Sequence, residues 1–213
     1  VSTIATAKAP RLRADAMRNR ERILAAARES FVLHGLDAPL DEIARRAGVG
    51  NATLYRHFPD RKTLLLHVLL YVKQQLVDRA EAAMAAEHDP FETLSTLVLS
   101  AARERIGGLC PLIAGHLDKE DPRLLESQRQ MREITERVIS RAHASGQLRR
   151  DVGAGDVLIA IGRLTLPLPG TCGGSEDLAL RHLQIFLDGL RTPARSVLPG
   201  RARHFEDLKD ELR

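Results

Sequence analysis

Apolar residues recur at helical spacing along most of the chain, and Gly, Pro and capping residues cut that pattern into segments. A first helix is predicted over about 17–34, closed by Gly35 at the position after its C-cap. Leu40, Ile43, Ala44 and Ala47 put one apolar stripe on a short second helix, which Gly48-Val49-Gly50 breaks. A third short helix starts near Asn51 behind a Gly50 N-cap, with Leu54 and Phe58 on its inner face. A fourth follows Asp60 and runs to about 86, carrying Leu65, Val68, Leu69, Val72 and Leu76. At about 1.5 Å per residue it is long enough to leave a first bundle and enter a second domain. Asp89-Pro90-Phe91-Glu92 reads as a capping box with Pro at N1, opening a fifth helix that carries Leu94, Leu97, Val98 and Ala101 and stops near Gly107-Gly108.

A short sixth segment is expected over about 110–117. Asp121-Pro122 opens a seventh helix with Leu125, Met131, Ile134, Val138 and Ile139, ending near Gly146. An eighth spans about 154–166 before Pro167 and Pro169, and Ser175-Glu176-Asp177 opens a ninth that runs through Leu183, Ile185 and Phe186 to Gly189. From Thr192 onward Pro193, Pro199 and Gly200 read as a mobile tail, with room for a short helix at 204–212. The expectation is an all-α protein of about nine helices. It divides into an N-terminal arm (1–16), a three-helix helix-turn-helix domain (17–63), a larger helical domain (64–191) and a C-terminal tail (192–213).

The stretch from Leu40 to Lys62 has the grammar of a helix-turn-helix, whose second helix is held out on a rigid platform to enter the DNA major groove. At about 100° per residue, Leu54 and Phe58 point inward and Ala52 and Arg56 most directly outward. Thr53 and His57 then lie on one flank, Asn51 and Tyr55 on the other. Arg can fork onto guanine O6 and N7, Asn can pair with adenine N6 and N7, and Thr can touch a thymine methyl. A small Ala52 at the centre lets the helix approach the base edges. Taken alone, the same face would also suit an ordinary polar surface of a small bundle; the glycine turn and the basic surroundings favour DNA.

Gly48-Val49-Gly50-Asn51-Ala52-Thr53-Leu54-Tyr55-Arg56-His57-Phe58 resembles the recognition-helix signature of the TetR/AcrR family of transcriptional repressors. Ile23-Leu24-Ala25-Ala26-Ala27, Phe31 and Gly35 resemble that family's first helix, so the resemblance covers roughly 19–66. There are two departures. Ala38-Pro39 stands where the family commonly has a Ser or Thr cap, and Arg61-Lys62 where it commonly has Lys-Glu. The second change keeps a cation where the family contacts phosphate and adds another. The resemblance implies DNA contacts from Asn51, Ala52, Thr53, Tyr55, Arg56, His57, Arg61 and Lys62, and a double-stranded operator as partner.

Charge supports the same end of the molecule. Residues 1–62 carry 12 Lys and Arg against 7 Asp and Glu, whereas the rest of the chain carries 20 against 21. The basic character is thus concentrated where DNA is expected. Lys8, Arg11 and Arg13 suit either a solvated tail or an arm that reaches DNA. Aromatic residues make up only 3% and Trp is absent, so the core must come from Leu, Ile, Val and Ala. No apolar run approaches the ~20 residues that span a membrane, and the first residues lack a signal-peptide core. Cys110 and Cys172 are the only cysteines and lack zinc-ligand spacing; they read as reduced thiols of a cytoplasmic protein.

No motif recommends an enzyme: there is no Walker or dinucleotide-binding glycine spacing, no nucleophile elbow and no HExxH. Cofactors and metals are not expected; His116 near Asp118 and Glu120 reads as a surface cluster. For the larger domain the resemblance implies two tasks, homodimerisation and binding of a small, largely apolar effector. Candidate dimer contacts are Val157, Leu158, Ile161, Leu164, Leu178, His182, Ile185, Phe186 and Gly189; candidate pocket residues are Leu94, Val98, Cys110, Ile113, Met131, Ile134 and Val138. Ordinary core packing is the alternative for each. Ala144-Ser145-Gly146-Gln147-Leu148-Arg149-Arg150-Asp151 looks like a connection common in C-terminal domains of the family. A helical ligand-binding or protein-interaction module without operator function is the alternative reading of the whole.

Overall fold

The computed structural model describes residues 8–107, 109, 112, 116–166 and 176–207. Among them are eight α-helices: α1 (Lys8–His34), α2 (Leu40–Arg46), α3 (Asn51–His57), α4 (Arg61–Ala85), α5 (Pro90–Arg103), α6 (Pro122–Ala144), α7 (Ala154–Leu164) and α8 (Glu176–Leu190). The chain divides into two compact units, Val1–Tyr71 and Val72–Arg213. The division lies inside α4 rather than at the expected 63/64, because this helix continues from one unit into the other. The expected sixth segment falls largely outside the described residues.

In the first unit, Ile23, Leu24, Ala27 and Phe31 of α1 pack with Ile43, Ala44, Leu54, Phe58, Leu64 and Leu65, all nearly sealed from solvent. Burying Leu54 and Phe58 fixes α3 against the bundle, each worth about 1.5–3 kcal/mol. α1 starts well before the expected 17. Pro10 does not oppose this, because it sits in the first turn, where backbone N–H groups have no intrahelical partner. Residues 8–16, expected as an arm, are therefore helical.

In the second unit, α5 packs against α6, α7 and α8 around Phe91, Leu94, Leu97, Val98, Val138, Val157, Leu183 and Leu187. Asp89 and Asp121 cap their helices as expected, but Glu92 pairs with Arg191 at 3.1 Å instead of completing a capping box. Asp89 accepts from the N–H groups of Phe91 and Glu92 at 3.0 and 3.1 Å, and Asp121 accepts from Arg123 N–H at 2.9 Å. One expectation fails. α5 stops at Arg103, not near Gly107, because Arg105 takes a left-handed conformation (φ 53°). Gly107 instead lets the backbone approach the end of α7, where its N–H donates to Thr165 Oγ1 at 3.0 Å and a Cβ would stand 2.3 Å from that oxygen.

The segment after α8 is not a loose tail. Thr192 N–H donates to Gln147 O at 2.9 Å, and Leu148 and Arg191 form an antiparallel bridge. The buried Arg149 side chain donates to Ser196 O at 2.7 Å and grips Asp151 at 2.7 and 2.9 Å. Further on, Arg203 O accepts from Gly155 N–H at 2.9 Å, while Asp156 accepts from both Gly153 N–H (2.8 Å) and Arg203 N–H (3.0 Å). Phe205 packs against the core of the unit beneath Arg132, 5.4 Å from the guanidinium carbon. Residues 191–207 form a strap seated on the start of α7, with one short turn at 205–207.

Candidate nucleic-acid interface

Local backbone chemistry sets the angle between α2 and α3. Val49 N–H reaches back to Ala44 O at 3.0 Å across Gly48, whose φ is +63°. This is a Schellman closure, and the left-handed residue it needs is the glycine. Gly50 then turns the chain into extended geometry, and its carbonyl accepts from Thr53 and Leu54 at 2.9 and 3.2 Å to start α3. Asp60 caps the next helix through Thr63 N–H at 2.7 Å. Pro39 is the N-cap of α2, with extended backbone (ψ 121°) and no side-chain hydrogen bond.

α3 presents Asn51, Ala52, Tyr55 and Arg56 to solvent, with Thr53 and His57 half-buried on its flank. Leu54 and Phe58 are each only 1% exposed. Arg56 makes no side-chain hydrogen bond or ion pair among the described residues, so its fork is available. Asn51 is partly committed: its amide nitrogen donates to Asp41 on α2 at 2.8 Å. Lys62 is exposed at the start of α4. Arg61, also expected to meet phosphate, turns back instead and donates to the carbonyls of Leu36 (2.6 Å) and Ala38. It closes the loop between α1 and α2, a contact invisible in local sequence because its partners lie 25 and 23 residues away.

Arginines dominate the charges around this face. Glu42 of α2 is gripped by Arg45 and Arg46, which hold its pKa down at about 2. The His57 imidazole is held below its ordinary value, first by partial burial and then by Arg56 and Arg20. The arrangement offers a forked cation, an amide, a hydroxyl and a phenol on one projecting helix, which is the donor set that reads base edges and phosphates.

Comparisons with known proteins agree with this geometry. Residues 23–68 match the family of bacterial regulatory proteins, tetR family. Residues 89–192 match the SbtR-like C-terminal domain of transcriptional regulators. A TetR transcriptional regulator of Streptomyces coelicolor is 30% identical, with 82% of this chain and 99% of that one covered and a TM-score of 0.65. The chain belongs to the TetR family of transcriptional regulators. A second TetR regulator, from Mycobacterium vanbaalenii, is 34% identical over 85% of this chain and 99% of that one, with a TM-score of 0.63. A nucleoid occlusion factor of Marinobacter nauticus is 31% identical over 112 residues, 51% of this chain and 57% of that protein. The chain thus spans little more than half the length of that curated relative.

A TetR-family regulator binds DNA and is not an enzyme, and the larger unit is where its other expected sites lie. There the structure rearranges the candidates. Val157 and Ile161, expected at a dimer contact, are buried in the core (0% and 6% exposed), facing α5 and α8 within one chain. Leu158 and Leu164 are half-buried, and Leu164 packs against the same core. Leu178, His182, Ile185 and Gly189 are exposed, and Phe186 is half-buried. Ile159, not singled out in sequence, joins Ile185 and Phe186 in lining one shallow groove between α7 and α8. Its signal was an apolar residue two positions from Val157, hence on the opposite face at about 100° per residue. Leu94, Val98, Ile134 and Val138 are all buried in the core, and Met131 lies at its edge. Cys110 and Ile113 lie outside the described residues.

Among the described residues no helix is long and apolar enough to cross a membrane.

Proposed function

We propose that the protein is a homodimeric repressor that binds a two-fold operator through α3 and is released by a small, largely apolar effector. The observation that carries this reading is the outward face of α3, with Arg56 unpaired and cationic surroundings. Dimerisation is supported by apolar side chains left exposed on α7 and α8, Ile159 at 38% and Ile185 at 58%. An effector of apolar character suits a core built from Leu, Ile, Val and Ala beside an adaptable Met131.

Selection from random duplexes tests the first part. A palindrome with half-sites about 34–36 Å apart is the expected outcome. Arg56→Ala should then cost about 1–3 kcal/mol on that operator. Lys62→Ala should weaken operator and random DNA alike and reduce the salt slope by about one unit. Equal losses for Arg56→Ala on both DNAs would remove it from base reading. Ile185→Asp should give folded monomers in sedimentation, and a folded dimer would place the interface elsewhere. Effector release is tested with Val98→Trp, which should keep DNA binding and lose induction. If the site is closed core instead, overpacking should lower stability by about 1–3 kcal/mol.

A further inference from the structure

Behind the recognition helix lies a cluster that none of the expected DNA contacts uses. Arg20 of α1 points its NH2 at Nδ1 of His67 on α4, 2.8 Å away. The same guanidinium lies 5.6 Å over the ring of Phe58, the residue that ends α3. Phe58 in turn is tilted against His67, ring centroids 5.6 Å apart, and against His57 at 6.1 Å. Arg20 makes no ion pair with a carboxylate among the described residues. One side chain therefore joins three helices, and the end of α3 is the middle of the sandwich.

We propose that Arg20 and His67 are positioning residues that set the pose of α3 for DNA, and that they do so only while His67 is neutral. The reasoning is chemical. A guanidinium has donors and no acceptor, so the imidazole nitrogen facing it must accept. That fixes the tautomer with the proton on Nε2. Protonation of His67 turns Nδ1 into a donor, removes the hydrogen bond and sets two cations face to face. Arg20 then leaves Phe58, and the C-terminal end of α3 loses a neighbour.

Other charged and titratable groups flank the cluster. On α1 the group is Arg20 itself; at the end of α3 stand Arg56 and His57. Asp60 is engaged by Thr63, Arg61 by the carbonyls of Leu36 and Ala38, and Lys62 and Tyr71 lie on α4. The released state binds a proton that the positioned state excludes. Operator affinity therefore rises with pH through the imidazole range and levels off above it, by up to about tenfold per pH unit for each chain. This inference rests on the reading of α3 as the DNA-binding helix.

The test compares the wild type with His67→Asn on one selected operator between pH 5.5 and 8. Asn Oδ1 accepts where Nδ1 did and does not titrate, and any effect of His57 cancels in the ratio. The two proteins should bind equally at pH 8, and the wild type should fall behind as pH drops. Arg20→Gln, whose amide can both donate and accept, should be equally insensitive to pH. A ratio constant across the range overturns the proposal. If His67→Asn fails to fold, long-range ¹H–¹⁵N spectra of the wild-type imidazoles decide alone. An Nε2–H tautomer at pH 7.5 supports the pairing, and an Nδ1–H tautomer overturns it. If no duplex is bound at any pH, the DNA reading fails, while the tautomer still reports on the pair.

Discussion

Two corners of this protein depend on glycine for opposite reasons. At Gly48, between α2 and α3, the backbone needs a positive φ of 63°, yet an added Cβ would find only the end of the Arg22 side chain, at 3.6 Å. At Gly153, where the strap is seated, the backbone is extended (φ −110°, ψ 175°) and any residue could adopt it. There an added Cβ would stand 2.2 Å from Arg203 O. The first corner is a conformational requirement satisfied within six residues. The second is a spatial requirement set by a segment 50 residues away. The DNA-facing corner is thus local chemistry, and the strap is tertiary chemistry.

The largest effect expected from this contrast is at the strap. Gly153→Ala should cost about 3 kcal/mol, the upper end of ordinary overpacking, because the obstacle is backbone. Urea unfolding gives the stability, and trypsin cutting at Arg195, Arg201 and Arg203 reports whether the strap has come away. An unchanged midpoint with a protected strap would break the comparison.

Next comes the clamp that makes the platform less local than its turn. Arg61→Ala should cost about 1–2 kcal/mol, because two loop carbonyls lose a charged donor. Its DNA salt slope should stay unchanged, unlike that of Lys62→Ala; a slope reduced by one unit would return Arg61 to the phosphate contacts.

Gly48→Ala should cost about 1–2 kcal/mol through the left-handed backbone alone. Gly48→Asn should recover part of that, since Asn tolerates this region. At Gly153 the order should reverse, with Asn worse than Ala. Denaturant curves of the four variants sharpen the distinction, and the same ranking at both positions would erase it.

The smallest effect is expected in acid. Glu42 and Asp151 are both held at about 2 by hydrogen-bonded arginines, Glu42 by two neighbours on its own helix and Asp151 by the buried Arg149. Both carboxylates are depressed in the folded state. Their stabilisation is therefore present above the ordinary carboxylate range and is lost as pH falls towards about 2. Only Asp151 is tied to the strap through its partner. Pepsin nicking near Leu198 and Phe205 should increase as pH drops from 4 to 2, and Asp151→Asn should show it already at pH 4. Equal protection of the two proteins at pH 4 would uncouple Asp151 from the strap.

What could be read in the sequence follows the same division. The caps at Asp60, Asp89 and Asp121, the glycine turn and the inward Leu54 and Phe58 are determined by residues within a turn or two, so periodicity and capping chemistry found them. The long start of α1 was missed because Pro10 was not weighed as a first-turn residue. The end of α5 was missed because Arg105, not a glycine, takes the positive φ. Arg61 on the 36–38 loop, Arg20 on His67, and the strap on Gly153 and Gly155 depend on partners 23 to about 50 residues distant. No pattern within a single helix announces them. Val157 and Ile161 show the converse, since a stripe on α7 says that a face is buried without saying by what.

The outward side of α3 has one more consequence. Ala52, Tyr55 and Arg56 have no side-chain hydrogen bond or ion pair among the described residues, while Leu54 and Phe58 hold the helix. On the proposed reading of α3, replacing the first three leaves the platform standing, so descendants of this gene can change the sites they recognise in single steps and stay folded. Asn51 is the exception. Its bond to Asp41 makes the two positions a linked pair, and drift at one constrains what the lineage can accept at the other.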